Sequence, residues 1–111
     1  MKLEQEVANM VKITSSVAAK WLGDVPDETR FWCVDGRYLK NLSELEDAME
    51  QMSEDTFRSH SNETKTDFSN WVKDVIGDEK LSRDLLKCST QTQAAKAVRD
   101  RISYLNNKVS A

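Results

Sequence analysis

The sequence predicts a mainly α protein, a compact bundle of about five to six helices with one short two-stranded β-hairpin near residues 31–39. Three observations predict it. Apolar residues recur at helical spacing through most of the chain. Three Gly and one Pro in 111 residues are too few for a loop-rich or all-β chain. A single Asp-Gly pair stands between two short β-prone runs. This length predicts one domain, 1–111, made of an N-terminal helix over 1–22 that can extend from the body, a core over 31–88 and a basic helix over 90–109.

The first helix is expected over 2–22. Leu3, Val7, Met10, Thr14, Val17 and Trp21 follow the alternating spacing of a bundle or coiled-coil seam. Val11, Ala18 and Leu22 widen the stripe, and Gly23 ends it. Thr14-Ser15-Ser16 weakens helix propensity midway, so a kinked or frayed point is expected there.

Asp24–Arg30 is a polar link in which Pro26 opens one short helical turn. Phe31–Val34 and Arg37–Leu39 then flank Asp35-Gly36, which predicts a hairpin with a type I′ turn. A ribbon this short must lie on helices. Either Phe31 and Cys33 or Trp32 and Val34 face inward. Trp32 and Tyr38 form a candidate contact patch unless the first helix covers that face.

Residues 43–52 read as a helix with a capping box of Ser43 and Glu46, lined inside by Leu42, Leu45, Met49 and Met52. Ser53 caps a short helix, Glu54–Ser59, that contributes Phe57. The polar loop Ser61–Lys65 is the expected mobile point. Its Asn62-Glu63-Thr64 matches the glycosylation pattern, which a cytoplasmic setting would make accidental.

Phe68, Trp71, Val72, Val75 and Ile76 fall on one helical face, with Thr66 as N-cap and Asp67 in the first turn. Burying Phe68 and Trp71 supplies about 3–6 kcal/mol, so this helix is expected at the centre of the core. Gly77 ends it, Asp78 caps the next helix, and Leu81, Leu85 and Leu86 continue the stripe. The last helix starts at a Thr90–Gln93 box and carries Ala94, Ala95, Val98, Ile102, Leu105 and Val109 on one side.

Net charge is −3 but uneven. Residues 24–86 hold sixteen acids and eight bases, −8, whereas residues 87–111 carry five bases against Asp100, +4. Such a division suits self-complementarity within one chain or between copies. No apolar run approaches the roughly 18 residues of a membrane span, and the N-terminus lacks an apolar secretory signal. Cys33 and Cys88 are too few for a disulfide framework and read as reduced and buried, in a cytoplasmic protein.

The chemistry-bearing residues are His60, Asp67, Asp74 and Asp78. Asp67 and Asp74 are expected on nearly the same side of one helix. One His without a second His or a Cys pair lacks zinc spacing, and the acids do not fit a calcium loop. No catalytic residue, metal or cofactor is therefore assigned. The expected role of His60 is to pin the neighbouring helix end through a carboxylate. The favoured function is a non-catalytic protein-interaction or regulatory module that binds another protein or itself, with self-association through its terminal helices. Two alternatives stay open: a small metal- or ligand-binding or enzymatic domain using His60 and the acids, and a weak nucleic-acid binder through Lys96, Arg99, Arg101 and Lys108. The second is disfavoured because an acidic body repels phosphate.

From Phe31 to Leu81 the order of features resembles an uncharacterised prokaryotic, largely archaeal, small helical domain family. The residues that carry the resemblance are Asp35-Gly36, Leu42 and Leu45, Phe57 and His60, Asp67-Phe68 with Trp71, Asp74-Val75, Gly77-Asp78 and Leu81. Thr66 stands where that pattern has Asn. The resemblance implies a compact helical module and no particular activity.

Overall fold

The computed structural model describes residues 13–110. Among them are six α-helices and one two-stranded antiparallel hairpin, as the periodicity predicts. Helix α1 (Ser15–Leu22) begins where Thr14 Oγ1 accepts the Val17 N–H at 3.1 Å. The helix expected over 2–22 is interrupted at Thr14, within the Thr14-Ser15-Ser16 stretch where a kinked or frayed point is expected. Thr14 serves as an N-cap, the competing use of a short hydroxyl side chain. Residues 1–12, with Leu3, Val7 and Met10 of the expected seam, lie outside the described residues.

Pro26 precedes one 3-10 turn, Asp27–Thr29, as expected. Strands β1 (Phe31–Trp32) and β2 (Tyr38–Leu39) pair Phe31 with Leu39 and Trp32 with Tyr38. The Cys33 N–H donates to Arg37 O, and the Gly36 N–H donates back to Cys33 O, each at 2.8 Å. Within this connection only Gly36 has a positive φ, 101°. The connection is thus a three-residue loop ending on a left-handed Gly, not the expected type I′ turn. Asp35 keeps an ordinary backbone, and its Oδ1 accepts the Arg37 N–H at 3.3 Å.

Helix α2 (Leu42–Gln51) starts one residue before the expected box. Asn41 Oδ1 accepts the Glu44 N–H at 2.8 Å, and Glu44 Oε1 accepts the Lys40 N–H at 3.0 Å. Asn41 takes the cap two residues earlier, so Ser43 is left inside the helix. Ser53 caps helix α3 (Glu54–His60), which takes in His60.

Helix α4 (Asp67–Trp71) passes directly into a π turn, Val72–Ile76. Val72 O accepts from both Gly77 N at 2.8 Å and Asp78 N at 3.2 Å. This wider turn still buries Val72 and Ile76 but leaves Val75 only half-buried. Thr66 makes no side-chain cap and instead bridges Ser61 across the preceding loop. Gly77, with φ 99°, ends the turn, and Asp78 caps helix α5 (Glu79–Leu86), both as expected. Leu86 is an exception to its stripe and is exposed, because Leu81 and Leu85 already define the inner face. Helix α6 spans Gln91–Ser110.

The core lies between α2 and α6, with α1 packed along α6 and the α4–α5 segment closing the other side. Val109, expected on the inner stripe of α6, is exposed. The thiols of Cys33 and Cys88 are both unbridged; Cys33 is buried and Cys88 half-buried. No described helix is long and apolar enough to cross a membrane.

Candidate functional site

His60 sits at the last position of α3, under the hairpin, and is 4% exposed. Its Nε2 accepts the Val34 N–H at 3.0 Å. Its Nδ1 lies 3.0 Å from Asp67 Oδ2. An acceptor at Nε2 and a carboxylate at Nδ1 together require the neutral ring protonated on Nδ1. The same Asp67 oxygen takes Lys65 Nζ at 3.2 Å. A chain Lys65–Asp67–His60–Val34 therefore runs from the α4 N-terminus to the hairpin tip. Both ring nitrogens are engaged, so neither has a lone pair left for a metal or a substrate proton.

The ring is walled by aromatics. Phe31 lies edge-on at 5.1 Å between centroids, and Phe68 is tilted at 5.4 Å. Phe68 in turn stacks on Phe31 at 5.1 Å and on Phe57 at 5.5 Å. Trp71 packs edge-on to Phe31 and donates its indole N–H to Thr29 O at 2.8 Å. Phe68 and Trp71 are therefore the anchors the sequence predicts, and they hold the hairpin and the 3-10 turn before it.

The remaining acids are not part of this cluster. Asp74 is exposed on the π turn and, among the described residues, pairs with neither His60 nor Asp67. Asp78 is fully buried elsewhere, in a bidentate pair with Arg101: Nε to Oδ2 at 2.7 Å and Nη2 to Oδ1 at 3.0 Å. Its Oδ1 also accepts the Leu81 N–H at 3.2 Å. The guanidinium faces the Trp21 and Tyr104 rings at 5.9 and 5.0 Å. The expected grouping of His60, Asp67, Asp74 and Asp78 thus separates into a His60–Asp67 pair, an Asp78–Arg101 pair and a solvated Asp74. Among the described residues no group of three or more His, Cys, Asp or Glu is placed to hold a metal.

Arg101 was legible only as a basic residue of the last helix. Its burial follows from its place on the α6 stripe between Val98 and Leu105. Two further polar fastenings carry no sequence motif. Ser69 Oγ and Ser82 Oγ lie 2.7 Å apart in the core, and Gln91 Nε2 reaches Met49 O and Met52 O at 2.7 Å each. The basic groups of α6 are used within the chain as well. Arg99 faces Glu50 at 3.4 Å, Lys96 pairs with Asp100 at 2.6 Å, and Lys108 lies 5.4 Å from the Tyr104 ring.

The outer face of the hairpin is different. Phe31 and Cys33 point inward, which leaves Trp32, Val34 and Tyr38 at 53%, 47% and 57% exposed. Trp32 and Tyr38 are cross-strand partners, and Arg30 lies over the Tyr38 ring at 5.3 Å. They stay exposed beside the described part of the first helix; the rest of that expected helix lies outside the described residues. A second surface, a cleft of about 750 Å3 between α3, the 61–66 loop and α5, has Phe57, Phe68 and Leu86 among its walls.

Comparison of the chain with family models, with curated proteins and with solved structures gave no match.

Proposed function

We propose that this chain is a non-catalytic protein-interaction module whose contact surface is the outer face of the hairpin, Trp32, Val34 and Tyr38. One observation carries the proposal: two large aromatics stand exposed side by side on a backbone that is fastened from beneath by His60. Rigid aromatic side chains lose little entropy on binding, and Trp, Tyr and Arg are the residues that dominate interface energy. A contiguous exposed apolar patch on a small domain marks a contact site more often than chance exposure does. The described part of α1 and the inner stripe of α6 pack on each other, so the hairpin is the better-supported surface for association than the terminal helices. The resemblance to a compact helical module family is compatible with this role.

The test is capture by a photo-crosslinking residue placed at position 38. Crosslinked protein that disappears when Trp32 and Val34 are changed to Ala supports the reading. Capture indifferent to those changes, or none, contradicts it.

A further inference from the structure

The hairpin tip is fastened through a titratable ring, and the two bonds of that ring fix where an added proton must go. Nδ1 of His60 already carries its hydrogen, donated to Asp67 Oδ2 at 3.0 Å. A second proton on the ring can land only on Nε2, the atom that accepts the Val34 N–H at 3.0 Å. Two N–H donors then face each other across that distance, and the bond to the hairpin is lost. Its two sides fare differently. Val34 is half-exposed, so its N–H passes to water. The ring is buried between Phe31 and Phe68, and among the described residues Nε2 has no carboxylate or carbonyl partner. The new donor reaches water only when the loop moves off it.

The neighbouring charges keep this wiring in place. Asp67 faces the ring from α4, and Lys65, from the preceding loop, shares the same carboxylate oxygen at 3.2 Å. On the hairpin, Asp35 and Arg37 lie 3.4 Å apart and pair with each other. The Cys33 thiol, which burial keeps neutral, has those two as its charged neighbours. Phe31 and Trp32 present only rings to the imidazole.

Resting on the interaction reading above, we infer that His60 is an acid-operated release for the hairpin face: protonation at Nε2 detaches the Val34 amide, loosens the 33–37 loop and removes the rigid support beneath Trp32 and Tyr38, while the contact with Asp67 persists as an ion pair. Partner binding is strong with the neutral ring and weak with the imidazolium, because a surface that must be ordered anew on binding loses the benefit of preorganisation.

NMR of the full chain from about pH 8 to about pH 5, where histidine side chains change charge, tests this. The protection of the Val34 amide, corrected for its intrinsic exchange rate at each pH, should fall by about tenfold, the worth of one hydrogen bond, in step with the His60 ring signals. Amides of α2 and α6 should keep theirs. His60→Gln, whose amide oxygen can accept from Val34 and does not titrate, should give a flat profile; if that variant does not fold, the wild-type titration decides alone. A Val34 amide still protected after the ring has titrated, a ring that stays neutral until the whole chain unfolds, or the same acid loss in a folded His60→Gln overturns the release. The position-38 crosslinker, used at both ends of the range, separates the two claims. Capture at the neutral end that is lost in acid supports the regulation. Equal capture at both ends overturns it and leaves the module standing. No capture at either end sinks both.

Discussion

His60 is a fastening by geometry. Its two hydrogen bonds join segments 26 and 7 residues away in sequence, so one ring ties α3, the α4 N-terminus and the hairpin. His60→Ala leaves the Val34 N–H without its acceptor and a hole among Phe31 and Phe68. Urea unfolding should show a loss of about 2–4 kcal/mol. The Asp78–Arg101 pair is more severe when halved. Arg101→Met strands a fully buried carboxylate and should cost about 3–5 kcal/mol, whereas Asp78→Asn with Arg101→Met should cost much less than the two single changes added together. Additive losses would show that the two side chains do not interact. At this scale the sequence indicated that a carboxylate pins His60 to the neighbouring helix end but left open which of Asp67, Asp74 and Asp78 supplies it; the structure gives Asp67. The sequence could not pair Asp78 with Arg101, which are separated by 23 residues and joined only through packing of α6 on the Gly-Asp corner.

The elements were largely legible because their signals are local: helical apolar spacing, Asp-Gly between β-prone runs, Ser53, Asp78 and Thr90 as caps. Where the reading slipped, a competing local bond won. Asn41 took the capping position in place of Ser43, and a left-handed Gly36 absorbed the whole positive φ of the hairpin. The Ser61–Lys65 loop, expected to be mobile, is tied by Asn62 Oδ1, which accepts from the Thr64 and Lys65 N–H groups at 2.9 and 3.1 Å. The π turn has no sequence signature at all, and Asp74 lies exposed on it. Gly36 and Gly77 share a left-handed backbone but differ in surroundings. A Cβ at Gly36 meets nothing within 4 Å, while one at Gly77 comes to 3.3 Å from Trp21 Nε1. Gly36→Ala should therefore cost about 1–2 kcal/mol from backbone strain alone. Gly77→Ala should cost more and shift Trp21 fluorescence; equal losses would mean that the indole yields freely.

Across the whole molecule, opposite charges that read as a possible meeting of copies are largely consumed inside one chain, as Arg101 on Asp78 and Arg99 beside Glu50 show. What stays available is the hairpin face. The same packing governs the thiols. Burial pushes Cys33 above its ordinary value of 9.0, with the Asp35 carboxylate adding to the rise and its backbone bond opposing it. Burial also raises Cys88, with Asp84 contributing. A raised folded-state value means that the neutral thiol is favoured by folding. That stability is whole below 9.0 and is lost as pH rises through the folded value. Wild type should lose stability above that pH more steeply than Cys33→Ala. In the native state a thiol reagent should reach half-buried Cys88 before Cys33, and the reverse order would mean that the hairpin opens readily.

The claim on which the rest depends is that the imidazole of His60 holds the hairpin rigid beneath Trp32 and Tyr38. Native-state hydrogen exchange at the Val34 amide tests it most directly, since this N–H belongs to a half-exposed loop residue and has the ring nitrogen as its partner. The account predicts protection approaching that of core amides in the wild type and its loss in His60→Ala, with α2 and α6 still protected. A Val34 amide that exchanges at the rate of an open loop in the wild type would contradict it.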